Sequence, residues 1–188
     1  MGFYSNEELQ EFGFKHLGKN VLISKMTSIY NAKNISIGDN SRIDDFSIIS
    51  AGSGCIDIGR YVHIACYVSL IGKNKIILRD YSGLSSRVAV YSSSDDYSGE
   101  YMTNPCVPNH LTNVIHGDVV IGKHVVVGAN SVILPNVTLE DGCSVGALSL
   151  ITKSFCGFNI LGGVPAKVIG VRSENIIELE RYIDKISY

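Results

Sequence analysis

From Ile121 onward the chain repeats every six residues: IGKHVV, VGANSV, ILPNVT, LEDGCS, VGALSL, ITKSFC. The first position is always Ile, Val or Leu. The fifth is Val125, Ser131, Val137, Cys143, Ser149 and, at the exit, Phe155. Gly, Asn, Asp and Pro gather at positions two to four. The same frame runs earlier as IGDNSR, IDDFSI, IGRYVH, IACYVS, LRDYSG and LSSRVA. One aliphatic and one smaller inward residue per hexapeptide predict a short strand and a corner. Three such units make a triangular coil of about 18 residues in a parallel β-helix. Gly and Asn suit corners because they tolerate positive φ. Parallel strands returning so quickly without helical crossovers require a solenoid.

The frame predicts an all-β solenoid over 37–172 with about five coils, the first from Ile37, the second from Ile58 and the third from Leu78. A bulge, SAGSGCID, interrupts the first coil at Ser50–Asp57. Before it, 1–36 reads as a short helix over 5–12 followed by irregular lead-in strands. Ser5 and Glu8 form a capping box, and Gly13 is the stop. After coil three the frame breaks over 91–118. This long polar stretch holds two of the four prolines; its length and its Tyr, Pro and Asn content predict an ordered functional flap. Over 173–188 an apolar stripe at helical spacing (Ile176, Ile177, Leu179, Tyr182, Ile183, Ile186) predicts a terminal helix lying over an edge coil or a neighbouring subunit.

A formal net charge of −2 without blocks of like charge argues against nucleic acid or an anionic membrane as partner. The N-terminal stretch has no signal-peptide pattern, and no apolar run reaches the length of a membrane span. Five cysteines without a CxxC pair predict free thiols in a reducing cytoplasm, not a disulfide framework or zinc ribbon.

The repeat and the ending GGVPAKVIGVR (Gly162–Arg172) resemble the left-handed β-helix acyltransferases of the hexapeptide-repeat superfamily, over roughly residues 20 to 172. The left hand is what the resemblance implies, and it departs from the usual crossover rule. The resemblance also implies a homotrimer with clefts between neighbouring prisms, acetyl-CoA as acyl donor and no metal. Pantetheine would run along a coil edge past Gly128 and Ala129 in VGANS, and Gly146 and Ala147 in VGALS. The Ala129 amide matches the family's donor to the thioester carbonyl, an oxyanion-type role. The coenzyme A phosphates need cations near the C-terminal coils, and Lys153, Lys167 and Arg172 are the candidates there.

Galactoside and maltose acetyltransferases of this family carry a loop histidine as base. The corresponding place here falls near Asp95, in SSSDDYSGE, where no histidine stands. A hydroxyl acceptor needs a general base. A sugar amine, with pKa near about 8 by analogy with an α-amino group, attacks a thioester unaided and needs only its proton removed. Asp95 or Asp96 therefore points to N-acylation. His63 and His124, both expected to face outward, are further candidate bases. Tyr67 falls where the galactoside enzymes contact substrate. Tyr97, Tyr101 and Arg87 are candidates to hold a nucleotide. The words SSRVAVYSSSDDYSGE and NPCVP resemble a narrower group, the dTDP-4-amino-4,6-dideoxy-D-glucose N-acetyltransferases of bacterial surface polysaccharide clusters. That resemblance implies a nucleotide-linked amino sugar as acceptor. Alternatives are a sugar O-acetyltransferase with His63 or His124 as base, a carbonic-anhydrase-like zinc site, for which no third histidine has suitable spacing, and a purely structural scaffold.

Overall fold

In the computed structural model, which describes residues 2–186, the chain winds into a three-sided prism of parallel strands. The first face is a six-stranded sheet, the second has eight strands and the third six, and each coil lends one strand to each. Helix α1 (Asn6–Glu11) precedes the prism, N-capped by Ser5, with Glu8 closing the capping box. Most of the 20–36 stretch, expected to be irregular, belongs to the first coil, which opens at His16–Leu17, and its last residues begin the second coil at Ile35. Six complete coils are formed among the described residues, against about five expected. Strand Asn159–Gly163 then extends the second face. The extra coil escapes the six-residue count because a short 3₁₀ turn, Ala32–Asn34, interrupts its corner. Asn31 and Asn34 restore the stacking by donating side-chain N–H groups to the carbonyl of Gly52 one coil on. Consequently the long excursion leaves after the fourth coil, not the third.

The interior is a set of aliphatic columns. On the second face Ile23, Ile43, Ile64, Leu84, Val127 and Val145 stack, every one at most 4% exposed. Corner positions alternate small and branched residues, such as Ser41, Val62, Ser82 and Val125, all buried. The buried serines fill a second role. Ser41 Oγ donates to the Gly59 carbonyl at 2.8 Å and accepts from the Val62 N–H at 3.0 Å. Ser47 and Ser131 bridge coils in the same way. Among the described residues Ser82 Oγ is a buried side-chain atom with no such partner. An unpaired buried hydroxyl costs about 1–3 kcal/mol. Ser82→Ala is therefore expected to stabilise the protein by about 1 kcal/mol, raising Tm by about 2–4 °C. A lower Tm in a thermal melt would contradict this.

Within the 91–118 excursion, strands Ser93–Ser94 and Ile115–His116 pair antiparallel, so it leaves and rejoins the prism as a two-stranded stem. The GGVPAKVIGVR ending is a hairpin of Asn159–Gly163 with Ala166–Val171. Helix α2 (Asn175–Ile186) follows. Ile176 and Ile177 are half-buried, whereas Leu179, Tyr182 and Ile183 of the expected stripe are exposed. Ile186 lies outside the residues whose side chains are described.

Candidate active site

The corner between the second and third faces is a stacked column of left-handed residues: Phe46, Tyr67, Arg87, Asn130 and Leu148, with φ of 58° to 63°. In each turn the two residues flanking the central amide are tied to adjacent coils. Asn130 N–H, for instance, donates to the Ser86 carbonyl, and Gly128 N–H to the Val145 carbonyl. The amides between them, Ser86, Ala129 and Ala147, donate to no acceptor among the described residues. They form a ladder of N–H groups at the inter-strand spacing of about 4.8 Å. Ala129 and Ala147 are the positions that the family resemblance implies; Ser86 is not among them, because SSR lacks the Gly-Ala signature. Such a ladder can donate to the amide and thioester oxygens of an extended ligand.

Gly128 serves the fold first. A Cβ there would lie 2.5 Å from the Ala147 nitrogen of the next coil. At Gly146 the nearest atom is 3.4 Å away, the Leu161 carbonyl oxygen, so only Gly146 leaves its own corner surface open.

In the flap, Asp95 lines a cavity of about 490 Å³ with Lys73, Asn104, Asn109 and His116. Asp96 does not. Its carboxylate accepts from the Ser98 N–H at 2.8 Å, from the Ser98 hydroxyl and from Asn113 Nδ2 at 3.2 Å. The Ser98 bonds hold its pKa below the ordinary carboxylate value. It pins the loop, and of the two aspartates Asp95 faces open space. His116 Nδ1 pairs with Ser93 Oγ at 2.8 Å. Its presence beside Asp95 was not expected, because the two are 21 positions apart and meet only through the antiparallel stem.

The other candidates separate. His63 is exposed on the second face, with Nε2 2.9 Å from Asp44, whose other oxygen takes Arg42 Nε at 2.6 Å. Burial raises the Asp44 pKa, but the bonds from His63 and Arg42 outweigh it and hold the group low. His63 and Asp95 line separate cavities within one chain. His124 is not free: it stacks on Tyr81 at 5.1 Å, and its Nε2 lies 2.8 Å from Glu180 of α2. Arg172 is likewise committed, its Nη1 donating to the carbonyls of His124, Gly142 and Cys143 at 2.7–3.2 Å. Both hold the C-terminal segment on the prism and are spent structurally. Lys153 lies over the Phe155 ring at 5.6 Å, and Lys167 is exposed on the exit hairpin. Tyr67 and Arg87 come together, the guanidinium 5.1 Å over the ring, which itself stacks on Phe46. Tyr97 and Tyr101 belong to the flap, and Tyr97 is 90% exposed. No cluster of three or more metal-ligating side chains occurs among the described residues.

Glu180 also receives Lys123, so one carboxylate clamps α2 to two residues of the fifth coil. Burial raises its pKa, yet the bonds from Lys123 and His124 prevail and lower it. A depressed folded pKa means the clamp is whole above the unfolded value, about 4.3, and is lost as pH falls through the folded one. Glu180→Gln is expected to speed hydrogen exchange across 175–183 at pH 7. The difference from wild type should close only as pH falls through the depressed pKa of Glu180, below the ordinary carboxylate range; one that persists once that carboxyl is protonated would contradict the clamp.

A family model for bacterial transferase hexapeptide (six repeats) matches residues 113–153. The chain is 50% identical over 180 residues to the Escherichia coli dTDP-4-amino-4,6-dideoxy-D-glucose acyltransferase, covering 96% of this chain and 94% of that protein. Among solved structures it is similar to AntD, an N-acyltransferase from Bacillus cereus, in complex with dTDP and 3-hydroxybutyryl-CoA: 45% identity, TM-score 0.92, 99% of this chain and 98% of that one. A serine-to-alanine variant of AntD, in complex with dTDP-4-amino-4,6-dideoxyglucose and coenzyme A, gives TM-score 0.94 at 46% identity over 98% of both chains. Identity at this level over nearly the whole of both chains, on a prism that superposes throughout, means that this chain belongs to the left-handed β-helix, hexapeptide-repeat acyltransferases, alongside the dTDP-4-amino-4,6-dideoxy-D-glucose acyltransferase.

Proposed function

We propose that the protein transfers an acyl group from acetyl-CoA, or a larger acyl-CoA, to the 4-amino group of dTDP-4-amino-4,6-dideoxyglucose, in the cytoplasm, for surface polysaccharide synthesis. The observation that carries this reading is Asp95. It is a carboxylate facing a cavity in the flap, where the sugar O-acetyltransferases keep a histidine. The amine lone pair attacks the thioester carbonyl, the C–N bond forms, and the carbonyl oxygen gains negative charge. In this reading the ladder amides of Ser86 and Ala129 donate to that oxygen. The C–S bond then breaks, coenzyme A leaves as thiolate, and the ammonium proton passes to Asp95. An amine needs no base to attack, so a carboxylate suffices where a hydroxyl acceptor would demand a stronger one.

The acting unit in this reading is a homotrimer. The flap exposes Tyr97, Tyr101, Met102, Leu111 and Ile115, and an apolar surface of this kind suits a cleft closed by the next copy. Tyr67, Arg87 and Tyr97 would hold the nucleotide; Lys153 and Lys167 would hold the coenzyme A phosphates. Among the described residues no helix is long and apolar enough to cross a membrane. His116 beside Asp95 favours one second reading, O-acylation with His116 as base. Matched 4-amino and 4-hydroxy dTDP-sugars, each assayed with acetyl-CoA, separate the two. Transfer to the hydroxyl sugar alone would sink the N-acyltransferase.

A further inference from the structure

Along the outer second face, Arg42, His63, Gly83, Val126 and Ser144 lie in register, one per coil. Gly83 is the one position of that row without a side chain. The gap is a cavity of about 310 Å³ whose lining includes His63, Gly83, Ser85, Ser86 and Val126. Nothing in the fold asks for glycine here. Gly83 lies outside the left-handed region occupied by the corner residues. A Cβ built on it meets nothing closer than the His63 carbonyl oxygen at 4.0 Å. Gly38 contrasts, since a Cβ there would lie 2.6 Å from Gly59 of the next coil. A glycine within a strand costs conformational entropy and packs nothing. In that setting it marks a place where a ligand or another backbone approaches.

We infer that the Gly83 notch receives the acyl chain of the donor thioester and admits chains of about four carbons, hydroxylated or branched, as well as acetyl. This rests on the acyl-CoA reading above. The ladder N–H of Ser86 stands at the notch's rim, so a thioester carbonyl bound to it directs its chain onto the second face between His63 and Val126. Size agrees. At roughly 30 Å³ per non-hydrogen atom, the share of a water molecule, the three atoms of acetyl fill about a third of the cavity and the six of a hydroxybutyryl group more than half. Chemistry agrees too: Val126, 40% exposed, offers an apolar wall, and the Ser85 and Ser86 hydroxyls offer polar partners for a chain hydroxyl.

The test measures kcat/KM with acetyl-, propionyl-, butyryl- and 3-hydroxybutyryl-CoA at fixed dTDP-4-amino-4,6-dideoxyglucose. Wild type is compared with Gly83→Ala and Gly83→Val, each checked for an unchanged melting curve. The wild type should use four-carbon donors within about tenfold of acetyl-CoA or better, each accommodated methylene being worth up to about fourfold. Gly83→Val should lower the ratio of four-carbon to acetyl kcat/KM about 100-fold, the scale of a steric exclusion in an apolar pocket. Gly83→Ala should fall between. An unchanged donor ratio in both variants overturns the inference, whatever happens to the absolute rates. If the wild type acylates the amino sugar from no donor, the functional reading fails instead. The notch is then judged by the ratio of Kd values for butyryl-CoA and acetyl-CoA in wild type and Gly83→Val, and an unshifted ratio sinks it as well.

Discussion

Asp95→Asn is expected to lower kcat/KM for acylation of the amino sugar by about 100-fold or more, while the protein keeps its fold and its affinity for coenzyme A. Asparagine preserves the shape and one acceptor oxygen. It removes the negative charge that draws the sugar ammonium into the flap cavity and the site that takes the proton as the amide forms. Proton transfer by a positioned side chain contributes about 10²–10⁴-fold. The loss should sit in kcat/KM at neutral pH and shrink as pH rises and more of the amine is free, near about 8 and above. Asp96→Asn is the internal control. That carboxylate accepts from Ser98 and Asn113, so its loss loosens the loop and should raise KM for the sugar with a smaller effect on the rate. Steady-state kinetics of both variants across pH 6–9 check the pair. Equal, pH-independent losses would mean that Asp95 only shapes the loop.

Ile64→Ala is expected to cost about 2–5 kcal/mol, the range for removing a large aliphatic side chain from a packed core. Ile64 has no exposed surface and lies in the third coil, registered with Ile43 on one side and Leu84 on the other. The cavity therefore opens between two coils that cannot close over it without breaking their own ladders. At about 2–4 °C per kcal/mol for a chain of this size, Tm should fall by about 4–20 °C. In a solenoid each repeat touches only its neighbours, so position along the axis matters. Leu17→Ala, at a half-buried position of the first coil, should cost clearly less. Chemical denaturation of both variants measures the difference, and equal costs would refute the nearest-neighbour picture.

Much of the fold was legible in the sequence because the repeat is local. A six-residue beat, Gly and Asn at the corners, Ser5 with Glu8 at the first helix, and a break at 91–118 are all short-range signals, and each became the element it predicted. The first coil was hidden because Ala32–Asn34 adds residues inside a corner without disturbing the stack. Of the candidate site residues, Asp95, Ala129 and Ala147 come from matching positions to the family; Asp95 lines a cavity, and both alanine amides lack an acceptor among the described residues. His124 and Arg172 read as available in the motif, but their partners lie 29 to 56 positions away in the chain: Glu180 for His124, and the carbonyls of His124, Gly142 and Cys143 for Arg172.

The sequence by itself determined the inward half of this protein: which residues pack, where the chain turns, and that a long flap interrupts the winding. Those follow from a period that each hexapeptide carries on its own. Only the tertiary structure decided what the outward half does. Outward residues meet across coils, at separations set by the number of residues in every corner and insertion between them: Gly83 faces His63 twenty positions back and Val126 across the whole flap. A glycine at the sixth, outward position of its hexapeptide carries no signal in the repeat; once the coils are stacked it lines a cavity.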